Sequence, residues 1–350
     1  MILKRSKSRV AVDIGSGVLK VVEVDHAASP RRVVRLGATP LPEGAIVDGE
    51  VMDHGAVVSA LRSLWGALGI SERHVSTAVS GRDVIVKKIT MDRMKEQEAR
   101  EVIRWEAEQH VPFDMESVNL DFQILDPEGD GLEMSVLLVA AKRELVEARS
   151  ALLQDAGLQP QRIDVDAFAV QNAFEANYEP APDAVYALVN VGHEITNVNL
   201  VHGSEPILTR DLPVGASRFV DALQKNLGLS REEAVGTLRG DAPAGPPPEQ
   251  VRATLAEVGQ EITAGVDRAR AFLSSGTGAA IEGSLRAVYL SGGCASVPGL
   301  SDGLARSLAV PVEPLDPFRR IAVDDAVLGP DERREMAPLL ALAVGLALED

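Results

Sequence analysis

The chain has 350 residues, 45% of them hydrophobic, enough to bury one large core or two medium ones, which suggests two lobes. Aromatic residues make up only 3%, and 52 acidic against 35 basic side chains give a formal charge of −17; a nucleic-acid surface of clustered cations and stacking rings is thereby excluded. A single cysteine, Cys294, and six scattered histidines leave no disulfide framework and no metal-ligand spacing, which fits a reducing cytoplasm.

Met1–Arg9 is basic, but Asp13, Lys20, Glu23 and Asp25 interrupt the apolar stretch that follows, so it lacks the centre of a secretory signal. Val10–Val24 alternates around a Gly-Ser-Gly turn and reads as a tight β-hairpin. A helix is expected over Ala56–Leu68, with Gly69 stopping it, then strands over Val75–Val79 and Val84–Ile89. Glu96–Val111 is an amphipathic helix ended by Pro112, with a structural His110 on its apolar side. Strands over Asn119–Leu125 and Glu133–Ala140 and a helix over Arg143–Ala156 complete a small α/β unit spanning residues 74–160.

Pro180 and Pro182 mark a break before a second hairpin, Tyr186–Leu200, and Asp241–Pro248 is a Pro-rich loop. Leu255–Leu273 reads as a helix and Ala287–Ser291 as a buried strand entering Gly292 and Gly293, with a further helix from about Leu300. Leu339–Leu348 is apolar for only ten residues, too short to span a bilayer, so any membrane role must come through a partner.

The most informative pattern is an internal echo. Val12-Asp13-Ile14-Gly15 through Lys20 and Val21 aligns without gaps to Val189-Asn190-Val191-Gly192 through Asn197 and Val198, an offset of 177 residues. A glycine- and hydroxyl-rich turn aims several backbone N–H groups at one point, and two such turns face to face could clamp a di- or triphosphate. Ser16 could donate to a phosphate oxygen, Lys20 could add charge, and Asp13 could hold Mg²⁺ through its waters. A third segment, Tyr289–Leu300, ends a strand in paired glycines that let a flat ring approach the backbone. Taken singly, each segment also fits an ordinary β-turn or strand-to-helix loop. Phosphate-loop, Rossmann, zinc-protease and nucleophile-elbow fingerprints are absent from the sequence, and Cys294 suits packing better than nucleophilic attack.

In this order, the three segments resemble the actin, Hsp70 and sugar-kinase superfamily. Phosphate-1 corresponds to Asp13–Lys20 (Gly15, Ser16, Gly17, Lys20), phosphate-2 to Asn190–Asn197 (Asn190, Gly192, Thr196, Asn197), and adenosine to Leu290–Gly299 (Gly292, Gly293). Three further stretches are similar to the PilM family of type IV pilus assembly proteins: Val79–Val84, Arg104–Phe113 with its Trp-Glu-Ala-Glu core, and Ile163–Phe174. The resemblance implies an α/β, actin-like (ribonuclease H-like) two-lobed fold with an inserted subdomain at about 74–160, shared with FtsA. Lobe 1 would cover 1–183, lobe 2 184–337 with a helical subdomain at about 217–284, and a terminal helix 338–350 would return to lobe 1, visible as Ala341–Leu348.

By the same resemblance the chain binds ATP with Mg²⁺, and Asp164, in the first connection between the lobes, is the expected catalytic residue. The implied partner is the short cytoplasmic N-terminal tail of the inner-membrane protein PilN, held beside the inserted subdomain. This would leave the chain cytoplasmic, peripheral to the inner membrane, and engaged in pilus biogenesis and twitching motility, with self-association and pilus motor components as further contacts. Two departures bear on activity. Asn190 stands where the superfamily has aspartate, so hydrolysis is expected to be weak or absent. Val235 and Leu238 stand where relatives place a glutamate and a lysine on the nucleoside, which Glu233 and Arg239 could replace only by a register shift. The competing readings are an active ATPase or kinase of the same fold, an FtsA-like division filament protein, for which a C-terminal membrane-targeting helix is expected, and a type II secretion protein, for which a membrane span is expected.

Overall fold

A computed structural model describes residues 8–241, 245–274 and 285–349. Met1–Lys7, part of the Asp241–Pro248 loop, the end of the expected 217–284 subdomain and Asp350 lie outside the described residues.

The chain opens with the antiparallel meander β1 (Ser8–Ile14), β2 (Val18–Asp25) and β3 (Arg32–Pro40), followed by the short ladder β4 (Ile46–Val47) and β5 (Glu50–Val51). Helix α1 (His54–Leu68) is capped by the Asp53 carboxylate and closed by Gly69 at φ 61°, a left-handed position that favours glycine. Then come β6 (His74–Val79), β7 (Val84–Asp92), α2 (Glu96–Glu108), β8 (Val118–Ile124), β9 (Glu133–Lys142), α3 (Arg143–Asp155), β10 (Gln159–Val165) and α4 (Asp166–Asn177). The second half runs β11 (Val185–Val191), β12 (Thr196–His202), β13 (Glu205–Leu212), α5 (Ala216–Leu227), α6 (Arg231–Leu238), α7 (Pro248–Ser274), β14 (Leu285–Ser291), α8 (Leu300–Leu308), β15 (Val312–Pro314), β16 (Ala322–Val323) and α9 (Pro330–Leu348).

The sequence echo is an echo of whole sheets. One sheet has the order β10-β6-β1-β2-β3-β16 and the other β13-β12-β11-β14-β15. Each is a three-stranded meander whose first strand pairs in parallel with the strand of a later crossover, which pairs in parallel with the next. Register is preserved as well. Asp13 faces Lys20 across the first hairpin, and Asn190 faces Asn197 across the second, the same two positions 177 residues on.

Helices α4 and α9 pack together between the sheets, in a core that joins both halves and holds all three tyrosines around Phe174. Their approach is close: a Cβ on Gly345 of α9 would lie 1.7 Å from the Ala169 carbonyl oxygen of α4. Helix α9 begins at Pro330, eight residues before the expected start at 338. Pro338 sits inside it and its carbonyl accepts from the Gly292 amide at 2.8 Å, so the helix carries on through a residue that reads as a breaker.

The inserted unit is smaller than the expected 74–160. A separate sheet of order β7-β9-β8, covered on one face by α2, spans only Val84–Lys142. Strand β6 pairs with β1 and β10 in the large sheet, and α3 buries Leu152 and Leu153 against that sheet's core, because both carry apolar residues facing it. Helix α2 ends at Glu108, short of the expected Val111; Ala99, Ile103 and Ala107 are buried, while half-buried His110 lies in the turn beyond, its amide on the Ala107 carbonyl. Burial pushes the His110 imidazole below its ordinary value.

Candidate nucleotide cleft and partner groove

A cleft of about 750 Å³ lies between the two sheets where the hairpin turns face one another. Gly15, Ser16, Gly17 and Lys20 line one wall, Asn190, Gly192 and Asn197 the opposite wall, and Gly292 and Gly293 the end of β14. A Cβ on Gly17 would lie 2.9 Å from the His193 ring, so the first turn meets the second at a distance only glycine permits. Gly292 has φ 88°, and a Cβ there would meet the Val191 carbonyl at 2.3 Å. Among the described residues the amides of Ser16 and Gly17 in one turn, and of His193 and Glu194 in the other, donate to no protein acceptor. Such unpaired N–H groups around a lysine suit an anion.

Thr196 is not at this surface. It is fully buried and its hydroxyl donates to the Val214 carbonyl at 2.6 Å, because alternation along β12 turns it inward. Asp164 is also absent from the cleft. It lies near the end of β10 on the far side, where the Val165 amide donates to Oδ1 at 2.7 Å and the Glu349 carboxyl group faces Oδ2. The residue brought into the cleft from this connection is Asp166, the first residue of α4, which accepts from the Ser80 hydroxyl at 2.6 Å. Burial, reinforced by the charge of Asp13, pushes Asp166 up to about 6. Arg149 of α3, buried and donating to the Ile14 carbonyl at 3.0 Å, balances both carboxylates.

The two matched positions of the hairpins now differ in charge. Lys20 Nζ donates to Asp13 Oδ2 at 2.7 Å, with both side chains about nine-tenths buried. In the second hairpin Asn190 Nδ2 donates to Asn197 Oδ1 at 3.1 Å, Asn197 Nδ2 donates to Asp211 Oδ1 at 2.7 Å, and the Gly81 amide donates to Asp211 Oδ2 at 2.6 Å. Burial raises the Asp211 carboxyl above its ordinary value. A neutral pair of asparagines, anchored on the Asp211 carboxyl group, thus occupies the place of an ion pair.

On the other side of the cleft Val220, Val235, Leu238, Leu339 and Leu342 form an apolar wall with Arg239 at its edge. Glu233 does not join it: its carboxylate accepts from the Ser230 amide at 2.8 Å in a capping box that starts α6. Arg231 of the same helix reaches Glu43 at 2.9 Å, and Glu194 accepts from the Asp48 amide at 3.0 Å, tying one lobe to the other across the mouth. Burial pushes the Cys294 thiol up to about 12, which makes it a packing group rather than a nucleophile.

A second concavity, about 920 Å³, separates the inserted sheet from the α4 end of the first lobe and the β12–β13 turn. Gln123, Leu137 and Val139 face it from the sheet, Phe168 from α4, and Pro180 and Pro206 from the loops. Asp121, Asp164, Glu175, Glu205 and Glu349 also line it, Glu205 paired with Lys88 and Glu349 with Arg162. Within it Asp164 Oδ2 and Glu349 Oε2 meet no hydrogen-bond donor, while Arg162 Nη1 lies 3.0 Å from Glu349 Oε2 at an angle unsuited to a bond. A proton retained on Asp164 and donated to the Glu349 carboxylate would give both oxygens a partner. Burial, and after it the Glu349 charge, pushes Asp164 up to about 8.

The folded chain therefore keeps a proton that the unfolded chain releases above an ordinary 3.8. The contribution of this group to stability falls with each rise in pH between about 4 and about 8 and is level beyond. Asp164→Asn is expected to flatten this slope and to raise stability at pH 8.5 by about 1 kcal/mol or more. Thermal unfolding of both chains from pH 5 to 9 measures it, and an unchanged slope contradicts the retained proton.

Comparison with solved structures places this architecture. One chain of a structure described as the PilM-PilN type IV pilus biogenesis complex is 29% identical, with TM-score 0.85 over 97% of each chain. The ethanolamine utilization protein EutJ from Carboxydothermus hydrogenoformans is 16% identical, with TM-score 0.59 over 97% of this chain and 89% of that one. MreB5 of Spiroplasma citri bound to AMPPNP is 10% identical, with TM-score 0.54 over 97% and 95%. These likenesses establish the actin-like fold that the resemblance implied. The family described as type IV pilus assembly protein PilM matches residues 11–350, nearly the whole length, and the chain belongs to that family.

Proposed function

We propose that the chain is a nucleotide-holding scaffold of type IV pilus assembly that captures the cytoplasmic tail of a PilN-like inner-membrane protein in the acidic groove beside the inserted sheet. The observation that carries this reading is the groove's lining: Leu137, Val139 and Phe168 stand beside five carboxyl groups that outnumber the two cations paired with them, Lys88 on Glu205 and Arg162 on Glu349. Cytoplasmic segments next to a membrane span are rich in lysine and arginine, and such a segment complements this lining. None of the described helices is long and apolar enough to cross a membrane, so a partner's tail would supply the attachment. Val139→Arg places a cation and extra bulk on the groove floor. It is expected to weaken a PilN tail peptide at least tenfold, on the order of the loss of one central contact. Calorimetric titration of the two chains checks this, and equal affinity overturns the groove assignment.

The large cleft fits a nucleoside triphosphate: unpaired amides and Lys20 suit the phosphates, and the apolar wall suits a purine. Asp13 and Asp166 are the carboxylates that would hold a Mg²⁺ through its waters. When bound, that ion neutralises phosphate charge and orients the chain of phosphates. Asn190 can position a group by hydrogen bonding but brings no negative charge, so slow turnover follows, and ATP serves mainly to set lobe closure. A second reading, a working ATPase, rests on Asp166, a cleft carboxyl with an elevated pKa near 6, suited to general-base work. Phosphate release separates the two.

A further inference from the structure

We propose that the outer face of α2, centred on Trp105, is a docking surface for a Lys/Arg-rich protein segment, separate from both the cleft and the groove. Trp105 is 72% exposed, whereas the other tryptophan, Trp65, is buried and donates to the Ile70 carbonyl. At about 100° per residue Trp105 stands opposite Ile103, which anchors α2 to its sheet, so the indole lies outside the core that holds the helix. Surfaces tolerate scattered apolar residues, but an indole held out in water on a helix ordered by its other face is a large area to desolvate on binding.

Charge decides the occupant. Glu101 and Glu108, four residues before and three after Trp105, share its face. Both are exposed, and among the described residues neither makes an ion pair or side-chain hydrogen bond. The cations of the helix are engaged elsewhere: Arg100 with Glu96 at 2.6 Å and over the Phe122 ring, Arg104 with the Met115 carbonyl at 2.9 Å and with Glu116. The face therefore offers an aromatic ring flanked by unneutralised carboxylates, which fits a guanidinium or ammonium group stacked on the indole and bonded at its edge. Anionic lipid headgroups and a second copy of a chain with net charge −17 are repelled by the same carboxylates.

The site is distinct from the groove because strand alternation divides the inserted sheet. Leu120, Val136 and Leu138 pack toward α2, while Gln123, Leu137 and Val139 face the groove. A tail in the groove and a basic segment on α2 can be held at once.

The test uses the full chain and a fluorescently labelled deca-arginine peptide, read by anisotropy. Saturable, salt-sensitive binding is expected, weakened on the order of tenfold by Trp105→Ala and comparably by the double variant Glu101→Gln/Glu108→Gln. Both variants should keep the wild-type Tm, and the Trp105-dependent part of the binding should persist in Val139→Arg, whose groove component alone is weakened. Equal binding by Trp105→Ala overturns the proposal, as does loss of the Trp105-dependent part in Val139→Arg, which would put the peptide in the groove. Trp105-dependent attachment to phosphatidylserine vesicles, or Trp105-dependent dimerisation, would assign the face to a membrane or to a second copy and equally overturns it.

Discussion

Gly345→Val is expected to unfold the chain or to cost about 3 kcal/mol or more of stability, read as a fall in Tm and in soluble yield. The reason is backbone against backbone: the first added carbon would lie 1.7 Å from the Ala169 carbonyl oxygen and 3.1 Å from the Ala173 nitrogen. Neither atom can rotate away as a side-chain tip would. Helix α9 would have to leave α4, opening the core that contains Phe174, Leu340 and Val344 and that joins the two sheets. A loss below about 1 kcal/mol would mean that the helices are not packed at this distance.

Lys20→Ala is expected to act on two levels. Removing the cation leaves Asp13 buried with only the more distant Arg149 to offset its charge, a cost of about 3 kcal/mol. It also removes the one lysine in the cleft wall, so ATP affinity should fall on the order of tenfold to a hundredfold, the worth of one charge-assisted phosphate bond. The companion change Asn190→Asp separates the effects, since it leaves Lys20 in place. Calorimetry with ATP and Mg²⁺, together with chemical denaturation, measures both levels. Undiminished ATP affinity in a folded Lys20→Ala chain would detach the phosphates from this turn.

The paired hairpins were legible because their information is local: alternating apolar residues and a glycine turn specify each one, and the repeat reveals their kinship. The register match of Asp13 with Lys20 and Asn190 with Asn197 follows from that same locality. The partners of these residues were not legible. Arg149 and Asp211 reach the cleft region from elements 135 and 14 residues away from the groups they contact, and nothing in their neighbourhood marks them. The choice between Asp164 and Asp166 turns on where strand β10 gives way to α4, since two residues carry the chain from the groove to the cleft. Sequence shows both as acids near one connection. Glu233 illustrates a competition: Ser230 three residues earlier offers a capping box, and that local bond takes the carboxylate away from the nucleoside wall. Pro338 marks the expected start of the terminal helix, yet α9 begins eight residues earlier, at Pro330, and holds Pro338 buried within it.

The most direct measurement is a titration of the purified chain with a labelled peptide of a PilN cytoplasmic N-terminus, with and without ATP and Mg²⁺, while phosphate release is followed in the same samples. Saturable peptide binding, altered by ATP and accompanied by little or no phosphate release, is the expected result. Steady phosphate release from a chain that binds no peptide would contradict the scaffold and leave an enzyme in its place.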